Sequence, residues 1–460
     1  MKNTNRRARS STVLALMARH ASASLIGLGL LAAGPAWSMD LKQAYEAAYA
    51  NDANIRAARA GADASRERLP QAQAQRLPNV NFSASRNHND LVSKSRDFQG
   101  QPTRSENQYY SDNQVLSVRQ PLYRPLVNAQ VRQAQAQSDE ADATLERDEQ
   151  SLVIRVGEAY FDALLAQDQL LLTAAQKKTY GVQVEAAGRG LTAGAGTRTD
   201  VDEAQARLDL ALAQELEAEQ NVDFTRRRLE ALTGQPVQTL SSLDVPRFRP
   251  QAPEPSNVQA WIEQAEQTSP ELQALRAQLE AAQQEIEKAE AGHKPTLDAV
   301  AQWSRSNSDS VTSVNTRYNN KSIGLQLNVP LYAGGYVNST VRQAVASRER
   351  VRESLEATTR DLGVRVHQEF RGMTEGMLRV AALEQAVRSA EQAVVSNQRS
   401  FTAGARTTLD VLNAEQQKTF AQRDLAQARY RYLVAQLRLQ ALAGQDRQAS
   451  IAQASSTLVP

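Results

Sequence analysis

Apolar and polar positions along this chain keep two different periods, and the points where one gives way to the other predict its elements. Leu41–Arg76 is rich in Ala, Gln and Arg and reads as helix. It stops at Leu77-Pro78, because a residue before proline disfavours the α region. Its counterpart, Trp261–Ala291, stops at Gly292 and Pro295. Period two follows in both places. Val80, Phe82 and Ala84 alternate with Asn81, Ser83 and Ser85, and Leu297, Ala299, Ala301 and Trp303 share one parity, with Val300 off it. Ile323, Leu325, Leu327, Val329 and Leu331 alternate with Ser322, Gly324, Gln326 and Asn328; in the matching run Leu116 and Val118 fit and Val115 does not. Strands of roughly ten residues cross a bilayer when tilted. Apolar side chains would then face lipid and polar ones a wet lumen, although an ordinary half-buried sheet alternates in the same way. Aromatic residues near the strand ends (Tyr109, Tyr110, Tyr123, Trp303, Tyr318, Tyr332) fit membrane-interface girdles.

Helical period then returns at unusual length. From about Val127 to Gly190 there is no proline, and about sixty residues rising 1.5 Å each span on the order of 90 Å. Val127, Val131, Ala134, Ser138, Ala141 and Leu145 follow the 4-3 spacing of a coiled-coil seam. A return helix carries Val201, Ala204, Leu208, Ala211, Ala218, Val222, Leu229 and Leu232 in register, interrupted by Glu215 and Thr225. Between the two, Gly194 suits a left-handed C-terminal cap, and Thr197 to Asp200 has capping-box spacing. Gly404 and Thr407 to Asp410 do the same before a second return helix with Val411, Ala414, Leu425, Ala428, Ala435, Leu439 and Leu442.

That recurrence is a duplication. Residues 192–205 share eight of fourteen positions with 402–415, and Ala231–Gln235 matches Ala441–Gln445 at the same offset of 210. Further upstream Pro78 matches Pro295 and Pro121 matches Pro330, so the first half carries eight extra residues between Val80 and Val118. The predicted organisation is a leader over 1–38, a first repeat over 39–240, a proline-rich connector over 241–256, a second repeat over 257–445 and a tail over 446–460.

Composition sharpens this picture. The leader has a basic start (Lys2, Arg6, Arg7, Arg9, Arg19), an apolar run over Ala21–Ala33 and small residues at Ala36 and Ser38, the pattern of a cleaved export signal too short to span a bilayer. Its five basic groups and no acids take the mature chain from +2 to −3, which removes any electrostatic case for nucleic acid. With no cysteine there are no disulfides and no lipidated N-terminal cysteine. His88, His293 and His367 are scattered without metal-ligand spacing and His20 lies in the leader, so neither a metal or cofactor site nor a catalytic constellation is expected.

Four strands cannot close a barrel, and open edges in lipid leave backbone groups unsatisfied, so neighbouring copies must complete it. Three copies give about twelve strands, within the range of such barrels, and two or four copies satisfy the same argument. The rival reading is a soluble periplasmic coiled-coil adaptor or scaffold, which explains the helices and leader but not four alternating segments at matching points.

The duplicated order of elements, Gly404–Asn413 (Gly-Ala-Arg-Thr-Thr-Leu-Asp-Val-Leu-Asn) and Val329–Gly335 (Val-Pro-Leu-Tyr-Ala-Gly-Gly) together resemble the TolC family of outer-membrane efflux proteins, over nearly all of the mature chain. The resemblance implies a mixed α/β membrane protein: a homotrimer with a twelve-stranded barrel in outer-membrane lipid and a long α-helical tunnel through the periplasm. It implies an export duct rather than an enzyme, docking through a periplasmic adaptor to an ABC or proton-driven inner-membrane transporter, in type I protein secretion, multidrug efflux or both. It also implies a gate at the hairpin turns. By motif position Arg406 would be the linking arginine, Thr199 and Asp200 its acceptors on the other hairpin, and Asp410 a pore carboxylate repeated by symmetry into a cation-attracting ring. Asn413 stands where the family often has a second pore aspartate, and Phe401 where a tyrosine hydroxyl can join the links. The plainer reading is that Asp200 and Asp410 cap helices and Arg406 is a solvated charge.

Overall fold

The computed structural model describes residues 38–310 and 313–459; the leader expected over 1–38 lies outside them but for Ser38. The first half runs α1 (Leu41–Asn51), α2 (Ala53–Arg66), α3 (Arg68–Ala74), β1 (Asn79–Arg96), β2 (Pro102–Tyr123), α4 (Pro125–Thr192) and α5 (Arg198–Thr233). The second runs α6 (Val258–Thr268), α7 (Pro270–Glu290), β3 (Thr296–Ser310), β4 (Ser313–Asn328), α8 (Tyr336–Thr402) and α9 (Thr408–Leu442), and α10 (Arg447–Ser455) closes the chain.

The helix expected over Leu41–Arg76 is therefore three. Asp52 ends α1 and caps α2, accepting from Ile55 N at 2.9 Å while Arg155 holds its other oxygen at 3.2 Å. Helix α2 stops at Arg66 because Pro70, four residues on, has no N–H for that carbonyl. Likewise Trp261–Ala291 is split at Ser269 by Pro270, and its last residue opens a 3-10 turn over Ala291–His293.

Helices α4 and α8 have 68 and 67 residues and α5 and α9 only 36 and 35, so each return helix flanks about half of its partner. Helices α1–α3 pack along the other half of α4, and α7 lies between α4 and α8. Both expected seams are used. Val127, Ala134 and Ser138 are buried on α4 and Ala204, Ala211 and Leu229 on α5. The two breaks in the α5 seam are satisfied locally: Glu215 takes both carboxylate bonds from Lys177 Nζ at 2.7 and 2.5 Å, and the Thr225 hydroxyl bonds back to Asn221 O at 2.8 Å.

The sheet is one antiparallel meander in the order β1-β2-β3-β4, with β1 and β4 as free edges. Its strands have 18, 22, 15 and 16 residues, longer than the ten expected. The first hairpin contains the eight extra residues and is the longer by about 13 Å. Strand β4 ends at Asn328, so Val329 and Leu331 lie beyond the sheet.

Register assigns the faces. Val80, Val118, Ala301 and Ile323 stand in one row, and Phe82, Leu116 and Trp303 in the next. This face is apolar yet bare: Phe82 is 63% exposed and Ile323 88%. The opposite face carries Ser83, Ser85, Asn113, Ser117, Gln302, Ser304, Asn320 and Ser322. Tyr109 and Tyr318 fall on that polar face, opposite Asn89 and Ser306, so of the six aromatics expected in girdles these two line the lumen.

The main core lies at mid-length of the helices, where Tyr160, Phe161, Leu164, Leu229, Trp261, Leu272, Leu433 and Leu437 meet. The connector over 241–256 contributes Leu243 and Phe248 and the tail Ile451 and Leu458. The Tyr160 hydroxyl stands 2.9 Å from Met39 O and 3.0 Å from Ser241 O, tying chain start and connector to α4. The connector is thus a docked strap rather than a free linker.

Candidate functional site at the helical-hairpin turns

Each long hairpin turns through the same five-residue device, 193–197 in the first and 403–407 in the second. Helix α4 closes on left-handed Gly194 (φ 67°) and α8 on Gly404 (φ 72°), a conformation that any β-carbon would strain. The next helix opens with a full capping box. Asp200 N donates to Thr197 Oγ1 at 3.2 Å while Thr197 N donates to Asp200 Oδ2 at 2.9 Å; for Thr407 and Asp410 the distances are 3.3 and 2.9 Å. The hydroxyls of Thr197 and Thr407 also donate to the same carboxylates, at 2.6 and 2.9 Å.

These donors hold both acids ionised. The Thr197 hydroxyl, then its backbone N–H, draws Asp200 below the usual carboxylate range, with a further contribution from the Thr408 hydroxyl on the other hairpin. The Thr407 N–H and hydroxyl do the same for Asp410, helped by Arg406. Capping thus occupies the two aspartates, as the plainer reading holds.

Among the residues singled out by sequence, Arg406 is exposed in the turn and its Nη1 faces Asp410 Oδ1 of the same hairpin at 3.5 Å. Thr199 is exposed, and Phe401 is half-buried at the end of α8, where its carbonyl accepts Gly404 N at 2.9 Å. The contacts that join the two hairpins within one chain come from residues that sequence reasoning missed. Thr408, buried, reaches Asp200. Arg207 on α5 donates to Asn413 Oδ1 at 2.8 Å and to Gln416 Oε1 on α9. Leu412, fully buried, packs into a small cluster with Tyr180, Ala204 and Ala211. Only Asn413 carried a signal, as a departure from an acidic position; Arg207 and Gln416 look like surface polars until α5 and α9 are known to be neighbours.

At the other end, the barrel wall joins the helices through Asp298. Arg124 grips it in a fork, Nε to Oδ1 at 2.8 Å and Nη2 to Oδ2 at 2.5 Å, and Arg119 approaches at 3.9 Å. Beyond Arg119 and Asp298 the described residues of the polar sheet face carry no charge. The lumen wall is mostly Ser, Asn, Gln and Thr, with Tyr109 and Tyr318 among them. Among the described residues no group of three His, Asp or Glu is placed to hold a metal, and no helix is long and apolar enough to cross a membrane.

A bare apolar sheet face beside a neutral polar one is a barrel wall, which a soluble scaffold does not need. Comparison with known proteins agrees. The sequence profile for outer membrane efflux proteins matches residues 44–235 and 261–445. The proteases secretion protein PrtF of Dickeya chrysanthemi is 34% identical over 418 residues, 90% of each chain. Outer membrane protein TolC of Vibrio cholerae is 32% identical over 413 residues, 89% of this chain and 91% of that one. The outer-membrane channel OprN superposes with a TM-score of 0.75 at 20% identity, over 89% of this chain and 90% of that one, a likeness of fold alone. The chain belongs to the outer membrane efflux protein family, the TolC-like channels, and is an exit duct of the outer membrane rather than an enzyme.

Proposed function

We propose that three copies of this chain form the exit duct of a type I secretion system, which takes polypeptide from an inner-membrane ABC transporter through a periplasmic adaptor. The observation that carries the assembly is the sheet with two free edges and a bare apolar face. In lipid each unpaired edge group costs several kcal/mol, so β1 of one copy pairs with β4 of the next and twelve strands close the wall. Cargo class rests on the relative named for secretion of proteases. The barrel lumen fits it, since beyond the paired Arg119 and Asp298 its Ser and Asn side chains offer a passing chain exchangeable hydrogen bonds and no ionic trap. The hairpin turns form the periplasmic gate, with Arg406, Thr199, Asp200, Phe401 and Asp410 at the constriction and Asp410 repeated as a carboxylate ring that favours cations. Deleting the gene and comparing secreted proteins with drug susceptibility tests the cargo. Loss of one or more secreted proteins with unchanged susceptibility is expected. Unchanged secretion with heightened susceptibility would replace this reading with multidrug efflux by a proton-driven partner.

A further inference from the structure

The apolar face of the sheet does not stay apolar along the strands. From the helices outward its rows are Leu297 and Leu327, then Ala299 and Leu325 beside Gln120, then Val80, Val118, Ala301 and Ile323, then Phe82, Leu116 and Trp303. Trp303 is paired with Lys321, and in the next two rows toward the hairpin ends the same face carries Arg305, Arg86 and Arg317. Four cations thus stand within three rows of one another, all exposed. Among the described side chains of those rows the one acid is Asp112, paired with Arg86 and 3.5 Å from its guanidinium. The remaining neighbours are neutral: Gln114, Asn307 and Asn319.

Position decides what this rim meets. The strands begin at the helices, which lie in the periplasm, so the hairpin ends point outward and the rim stands at the outer edge of the apolar band. Cations on a lipid-facing wall extend to headgroup level, because their stems pack on apolar surface while the charge seeks polar surroundings. Guanidinium forks at that level match phosphate geometry, and Asp112 neutralises only one of the four cations. The polar lumen face at the same height is uncharged, so the cations are confined to the lipid side and serve nothing that passes through the duct.

We infer that Arg86, Arg305, Arg317 and Lys321 form a site for the phosphate groups of outer-leaflet lipid, repeated in each copy around the barrel. The inference rests on the membrane placement and not on the cargo. The trimer, purified in neutral detergent, is titrated with bis-phosphorylated lipid A, with its dephosphorylated form and with inorganic phosphate, and bound lipid and the temperature of trimer dissociation are followed. Only the phosphorylated lipid is expected to bind tightly and raise that temperature. Replacing the four residues by Gln weakens its binding by roughly tenfold or more, as loss of charge-assisted hydrogen bonds implies, while the Arg→Lys set retains most of it. Single-channel conductance stays unchanged in both sets, which separates this inference from failure of the duct itself. Equal binding of both lipids, an unaffected Gln variant, or the same stabilisation by inorganic phosphate would each overturn it. Should the fourfold variant not assemble, Arg305→Gln and Lys321→Gln alone must each weaken binding severalfold, and unchanged binding in both refutes the site.

Discussion

Arg207 on α5 donates from Nη2 to Oδ1 of Asn413 on α9 at 2.8 Å, and its Nη1 reaches Gln416, so one guanidinium ties two hairpins that meet nowhere in the sequence. Arg207 lies seven residues, two helical turns, beyond Asp200. Under the proposed gate, a link there would resist the splaying that widens the periplasmic entrance. Arg207→Ala should therefore raise single-channel conductance in planar bilayers. Arg406→Ala should do so as well, through the turn itself, and the double variant should exceed either. Wild-type conductance in Arg207→Ala would show that α9 is held by the Leu412 cluster alone.

The carboxylates at the turns and at mid-length of the helices respond oppositely to acid. At the turns, Asp200 and Asp410 are held below the usual range. Their contribution is present above the unfolded value near 4 and is lost as pH falls through the depressed folded value. At mid-length, burial pushes Asp168 above the range although the Tyr430 hydroxyl donates to it at 2.8 Å. Its stabilising share is present below the unfolded value and is lost as pH rises through the raised one. Hydrogen exchange should accordingly show mid-length protection rising as pH falls from neutrality toward the carboxylate range, while the caps hold. Asp168→Asn keeps an acceptor for Tyr430 and should flatten the mid-length pH slope; an unaltered slope would assign it to Glu369 or Asp162, which burial also raises.

Periodicity made the long hairpins, their caps and the alternating wall legible, because each depends on neighbours within a turn or a pleat. Ile323 to Leu327 alternates cleanly because that strand is an edge whose apolar side is bare, with Ile323, Leu325 and Leu327 all exposed. What escaped depends on partners far along the chain. The breaks after Asn51, Arg66 and Thr268 lie within helix-forming composition; Pro70 marks the second and Pro270 the third, and only the capping Asp52 marks the first. Strand length was underread because beyond Ala84 the outward face turns to Arg86 and His88, which ends the apolar alternation while the hydrogen-bonded ladder continues to Arg96. The turn residues were placed from motif position, and the ties between hairpins, Arg207 and Thr408, needed the packing of α5 against α9.

Asp298 is 5% exposed and has Arg124 as its forked partner at the junction of barrel and tunnel. Asp298→Ala strands a guanidinium that is itself only partly buried, so the cost is below that of a fully buried pair, about 2–3 kcal/mol per copy. The trimer should dissociate at lower temperature on unheated gels, with insertion and channel current retained. An Asp298→Asn variant, which still accepts one bond, should fall between; a wild-type dissociation temperature for Asp298→Ala would mean that backbone pairing alone secures the junction.

Adjacent residues on β4 provide the sharpest check of the wall. Ile323 faces the apolar side and Ser322 the polar side, one pleat apart. An arginine at 323 must leave water for hydrocarbon, which costs about 2–4 kcal/mol near mid-bilayer and less near an interface. Threefold repetition multiplies that cost within one assembly, so Ile323→Arg should lower the amount of heat-modifiable trimer in outer membranes sharply. The arginine of Ser322→Arg stays wet, and the variant should insert normally. There it adds three positive charges to a lumen of no net charge, which should shift the reversal potential under a salt gradient toward anions, most strongly at low ionic strength. Equal insertion of the two variants, or a selectivity change in Ile323→Arg rather than Ser322→Arg, would invert the faces assigned to the sheet and with them the lipid site on its outer rim.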